Sequence, residues 1–139
     1  MGYRPVDKKL AHLNMIQAVI TRMGSNSFLL KGWSVTLVAA LFALAAKDAK
    51  PSFVLIAFLP GIVFWALDGF FLWQETLFRG LYDKVRIQPD DQIDFSMSTM
   101  GLPDPPRWLQ RTFSKTLVLF HGSIIVTIAV VTGVLYAPG

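Results

Sequence analysis

Cysteine is absent from this chain, so no disulfide and no thiolate metal site can form. That absence says little about redox compartment. Histidine occurs only twice, and charged residues make up 16%, against about 25% in an ordinary soluble domain. There is no Gly-rich phosphate loop, no Gly-x-Ser-x-Gly elbow and no metal-spaced set of His, Asp and Glu. The chain therefore reads as a non-enzyme with no cofactor and no metal. Basic and aromatic residues do not interleave as a nucleic-acid surface requires. The net charge of +4 fits membrane topology better than a nucleic-acid partner. The N-terminal MGYRPVDKKL lacks the apolar core and small-residue cleavage site of a signal peptide. The first spanning helix is therefore expected to act as its own uncleaved insertion signal.

What the chain has in plenty is apolar length. Residues 28–46 and 51–74 form a hairpin of two apolar segments separated only by Lys47-Asp48-Ala49-Lys50. A bilayer core about 30 Å thick takes roughly 20 helical residues. Each segment is long enough to cross it. Lipid offers free backbone groups no partner, so both should be helices. A third span is expected over 116–137. Pro51 suits the first turn of the second span, and Pro60-Gly61 predicts a kink in its middle.

The remaining chain is polar. Over residues 1–27, Leu13, Ile16, Ile20 and Met23 recur at helical spacing, which predicts an amphipathic N-terminal helix. Two placements are open for it, the membrane interface plane and a neighbouring cytosolic helix. Its thin cationic face favours docking on a helix. Gly24-Ser25-Asn26-Ser27 predicts a break and fresh N-caps before the first span. The second span is expected to continue into the cytosol as far as Lys84, with Glu75 and Arg79 as a favourable i,i+4 pair and Tyr82 on an adjacent face. Residues 75–115 hold this extension and an irregular, proline-rich loop. Asp90-Asp91-Gln92-Ile93-Asp94 lacks the glycine and terminal glutamate of a calcium loop and reads as a solvated or docking acidic segment. Trp108 and Phe113, with Arg107, Arg111 and Lys115, suit the headgroup layer.

Three ionisable residues fall inside spans: Lys31, Asp68 and His121. Such groups usually face protein or water. One reading is a polar vestibule in which Asp68 attracts cations or relays protons and His121 titrates near neutral pH. The other is a snorkelling Lys31 with an Asp68–His121 contact that locks the bundle. Three spans make a poor self-contained conduit, so a pore would need several copies around an axis.

The stretch HLNMIQAVITRMGSNSFLLKGWSVTLVAALFALAAKD, followed by FWALDGFFLWQETLFRGLYDKVR, resembles a group of small bacterial inner-membrane proteins, the RipA-like octameric membrane proteins. The likeness covers residues 8–97, including Asp-Phe-Ser-Met at 94–97, and contains no catalytic motif. It implies a homo-oligomer in the cytoplasmic membrane. The residues it puts forward as shared are Asn26, Lys31, Gly32, Trp33, Asp68, Glu75, Arg79 and Tyr82.

The expectation is an all-α membrane protein with three transmembrane helices, an N-terminal amphipathic helix and a cytosolic collar. The partners expected are the lipid bilayer and further copies of the chain, with pore formation or membrane organisation as the role, in a stress or anti-phage setting. The alternative is an anchor subunit that recruits a cytosolic protein through residues 85–115. Eleven of the thirteen basic residues precede the first span, open it, or lie between the second and third spans; Lys47 and Lys50 are the exceptions. The positive-inside rule then puts the N-terminus in the cytoplasm and the C-terminus in the periplasm. Epitope tags at Met1 and Gly139 should report opposite compartments in a protease-protection assay. A shared compartment would refute the three-span topology.

Overall fold

A computed structural model describes Gly2, residues 5–48 and residues 50–138, without the side chains of Pro5 and Val6. The described residues form helices and loops only. In chain order the helices are α1 (Pro5–Asp48), α2 (Ser52–Ile56), α3 (Phe58–Ile87), α4 (Trp108–Thr112) and α5 (Lys115–Tyr136), with a single 3-10 turn at Asp90–Gln92. Three stretches are long and apolar enough to cross a membrane: Asp7–Asp48, Ser52–Ile87 and Lys115–Tyr136. Most residues in the apolar part of each stretch face outward rather than into the chain. Leu59, Ile62, Leu119, Val126 and Val134 are among the exposed side chains. In water such a belt would be a liability; in lipid it is the natural surface. The chain is a membrane protein.

The largest departure from expectation lies at residues 24–27. No break occurs there, and α1 runs unbroken for 44 residues. At 1.5 Å per residue that is about 66 Å, twice a bilayer core. The N-terminal helix is therefore continuous with the first span rather than a separate element. Two causes override the local signals. The Ser27 hydroxyl is used on Asp68 rather than on a backbone N–H. Both halves of α1 are also packed: α1 and α3 lie antiparallel, with Gly24 opposite Glu75, and the C-terminal half of α1 meets α2 and α5.

Two apolar clusters hold this pair. Toward the N-terminal end of α1, Ile16 and Ile20 meet Leu81 and Val85 of α3, flanked by Leu13, Phe78 and Tyr82. At the opposite end Val38 and Ala45 meet Val54, Ala57 and Ile128, which brings in α5. Where the sequence predicts a kink, the helical hydrogen bonding is interrupted for one residue while Ala57 keeps helical dihedrals. Pro60 has no N–H to give to the carbonyl of Ile56, four residues back. The helix is interrupted there, with Ile56 the last residue of α2 and α3 starting at Phe58. Gly61 then admits α5, since a Cβ there would lie 3.1 Å from Ile125 Cδ1.

The loop after α3 is tied back to it. Lys9 donates to the carbonyl of Gln88 at 2.9 Å and pairs with Asp90 at 3.4 Å, so the acidic segment docks in part on α1. His12 is buried and donates through Nε2 to the Ser96 carbonyl at 2.9 Å, with its ring against Phe95. Phe95 has φ 57°, uncommon for a bulky residue, and Gly101 has φ 74°. Further along, indole donors fasten the chain to α3: Trp73 to the Pro106 carbonyl and Trp65 to the Thr112 carbonyl, both at 2.8 Å.

Thr112 sits directly on Gly69. A Cβ at Gly69 would lie 2.8 Å from both Cα and Cβ of Thr112. Gly69→Ala should therefore cost about 1–3 kcal/mol by overpacking, despite its gain in helix propensity. Gly133→Ala, where a Cβ meets nothing within 4 Å, is the control. Thermal unfolding in detergent should show a lower midpoint for the first and no loss for the second.

Candidate functional site

The two apolar clusters leave a gap between them along α1, α3 and α5, and a polar layer fills it. Asp68 is fully buried on α3. Its Oδ2 accepts from Lys31 Nζ of α1 at 2.6 Å and from His121 Nε2 of α5 at 2.7 Å. Its Oδ1 accepts from the Ser27 hydroxyl. Lys31 also donates to Ser27 Oγ at 2.9 Å, which closes a ring through Ser27, Lys31 and the Asp68 carboxylate. A carboxylate oxygen can only accept, so His121 carries its proton on Nε2. All three spans thus contribute to one site.

Spacing explains the convergence. Ser27 and Lys31 are four residues apart and share one face of α1. The Lys31 ammonium does not snorkel outward, as the second sequence reading expected; it turns inward to Asp68. Aromatic rings close the site on the α5 side. Trp65 lies parallel to the His121 ring at a centroid distance of 6.0 Å, and Phe120 meets His121 edge-on at 5.0 Å. His121 Nδ1 and Ser34 Oγ are buried without a hydrogen-bond partner. Beyond Ser34, toward the Val38 cluster, no buried polar side chain follows among the described residues. The layer is closed on that side.

The candidates expected in the cytosol, Glu75, Arg79 and Tyr82, behave differently. Glu75 Oε1 accepts from Arg79 Nε at 3.0 Å and Nη2 at 2.7 Å, and the arginine remains exposed. Tyr82 packs against the Ile16 cluster. They do not join the Asp68 layer. Sequence reasoning missed Ser27 as a site residue, having assigned it to a helix cap. It also missed Thr112, whose carbonyl receives Trp65. The interval from Ser27 to Lys31 was the available signal for the first; nothing local marks the second. Among the described residues no three His, Cys, Asp or Glu side chains gather closely enough to hold a metal ion.

Chemically, this arrangement neutralises a carboxylate inside a membrane bundle. Asp68 itself is fully buried, and Lys31 is its partly exposed partner. Comparison with known proteins finds no matching family model, no matching curated protein and no matching solved structure.

Removing one member of a buried ionic group leaves the others unpaired, which costs about 3–5 kcal/mol. Asp68→Asn should therefore lower the unfolding midpoint strongly. Glu75→Gln, at a pair whose arginine is exposed, should change stability by at most about 0.5 kcal/mol. Comparable midpoints for the two variants in detergent would show that the layer does not hold the bundle together.

Proposed function

We propose that this chain is the building block of a homo-oligomer in the bacterial inner membrane, with its N-terminus cytoplasmic, and that its role is to organise the membrane. One observation carries the reading: the polar layer is consumed inside the chain while the apolar outer faces stay open. The Asp68 oxygens are both occupied by side chains of the same protomer. The layer therefore acts as a lock rather than as the wall of a conduit. The apolar cluster at Val38, Val54 and Ile128 weighs against a route through one protomer.

Gly32, Thr36 and Ala40 lie exposed on α1. Together with Phe28, Leu29 and Trp33, Gly32 and Thr36 line a shallow notch on the outer face. Small residues let a neighbouring helix approach closely in lipid. The notch supports self-association as the use of this face, and the resemblance to RipA-like octameric proteins supports the same assembly. The inward orientation rests on the asymmetry of basic residues.

Protein expressed alone and solubilised in mild detergent should run as a defined multimer by light scattering. A monodisperse monomer would overturn the proposal and leave the anchor-subunit reading, with residues 85–115 as the docking segment.

A further inference from the structure

A cleft of about 620 Å³ separates the cytosolic part of α3 from the loop at 101–106. That volume lies within the range of small-molecule sites, about 300–1,000 Å³. One wall is apolar, built from Leu77, Ile87 and Leu102, and prolines of the loop form the other. Three cations reach the cleft: Arg79, Lys84 and Arg111. Two carboxylates line it as well. Asp83 pairs with Arg86 at 3.0 Å, and Asp104 is exposed to solvent.

Arg111 is the informative residue. Arg79 is already held by Glu75. Arg111 forms no ion pair among the described residues, and its Nε is buried without a hydrogen-bond partner. It stands on α4, four residues before α5 begins at Lys115. Three residues further on, the exposed apolar face of α5 opens with Val118 and Leu119. The upper end of the cleft therefore sits at the boundary between headgroups and acyl chains.

We propose that this cleft binds the phosphate ester of an anionic phospholipid. The Arg111 guanidinium takes the phosphate oxygens in its planar fork, which matches that geometry. Arg79 and Lys84 add positive potential, and the apolar wall receives the glycerol and first methylenes. The same chemistry would accept a water-soluble phosphate ester, so the source must be separated by experiment. The proposal requires only that α5 spans the membrane; it holds for a monomer or a multimer.

The test uses the full chain in phosphatidylcholine nanodiscs doped with cardiolipin, with lipid retained after detergent extraction counted by native mass spectrometry. Wild type should retain cardiolipin in preference to phosphatidylcholine. Arg111→Gln should weaken retention about tenfold, the loss of one charge-assisted hydrogen bond. Lys115→Gln removes the same charge at the same boundary outside the cleft and should leave retention unchanged. Should Arg111→Gln fold poorly, Arg79→Gln at the cleft's exposed arginine should show a smaller loss in the same direction. Glycerol 3-phosphate provides the soluble arm: displacement of cardiolipin by it assigns the cleft to a free phosphate ester, and failure to displace assigns it to lipid. Equal retention of the two lipids, or equal losses in Arg111→Gln and Lys115→Gln, would overturn the proposal.

Discussion

The Asp68 carboxylate is the constraint on which the rest of the bundle depends. It is the one acidic side chain inside the three apolar segments. An unpaired charge costs at least about 2.5 kcal/mol at the centre of a bilayer, so ionisable groups within spans are normally paired. Its pairing demands donors from both neighbouring spans at once: Ser27 and Lys31 from α1, and His121 from α5. Apolar faces tolerate sliding, because one leucine replaces another at little cost. The polar layer does not. A slip of α1 by one turn, about 5.4 Å, would carry both of its donors out of reach.

The apolar clusters lie on either side of this layer and do different work. The Val38–Ile128 cluster gathers all three spans and excludes polar groups from that end. The Ile16–Val85 cluster joins only α1 and α3, with Ile93 and Met97 of the loop packed against it. On either side of Asp68 along α3, indole donors bind the returning chain, Trp65 before it and Trp73 after it. Trp65 is central, since its indole N–H holds Thr112 while its ring covers His121. Closure of the polar site and attachment of α4 are therefore one structural event. Gly69 completes it by letting the Thr112 backbone lie against α3.

Much of the architecture was legible because lipid is a strict solvent. Long apolar runs must be helical there, so the three spans and the Pro60 interruption followed from residue type alone. The meeting of Lys31, Asp68 and His121 in one layer was open to sequence reasoning through their common distance from the cytoplasmic boundary. The continuity of α1 was not. Gly24 and Ser27 carry genuine local preferences for a helix end, but those preferences amount to tenths of a kcal/mol to about one. Two apolar clusters, one at each end of α1, outweigh them. The role of His12 was equally hidden, because its acceptor, Ser96, lies 84 positions away. The arginine-lined cleft depends on the path of the 101–106 loop, which no periodicity encodes.

The unbroken α1 has a mechanical consequence. A rod of this length, gripped at its middle by Ser27 and Lys31, is divided by the polar layer into two arms, one packed on α3 and the other on α2 and α5. A tilt of about 5° around that point moves each tip by roughly 3 Å in opposite directions, given the rise per residue. Any tilt of one arm would therefore carry the other with it, without a change in secondary structure.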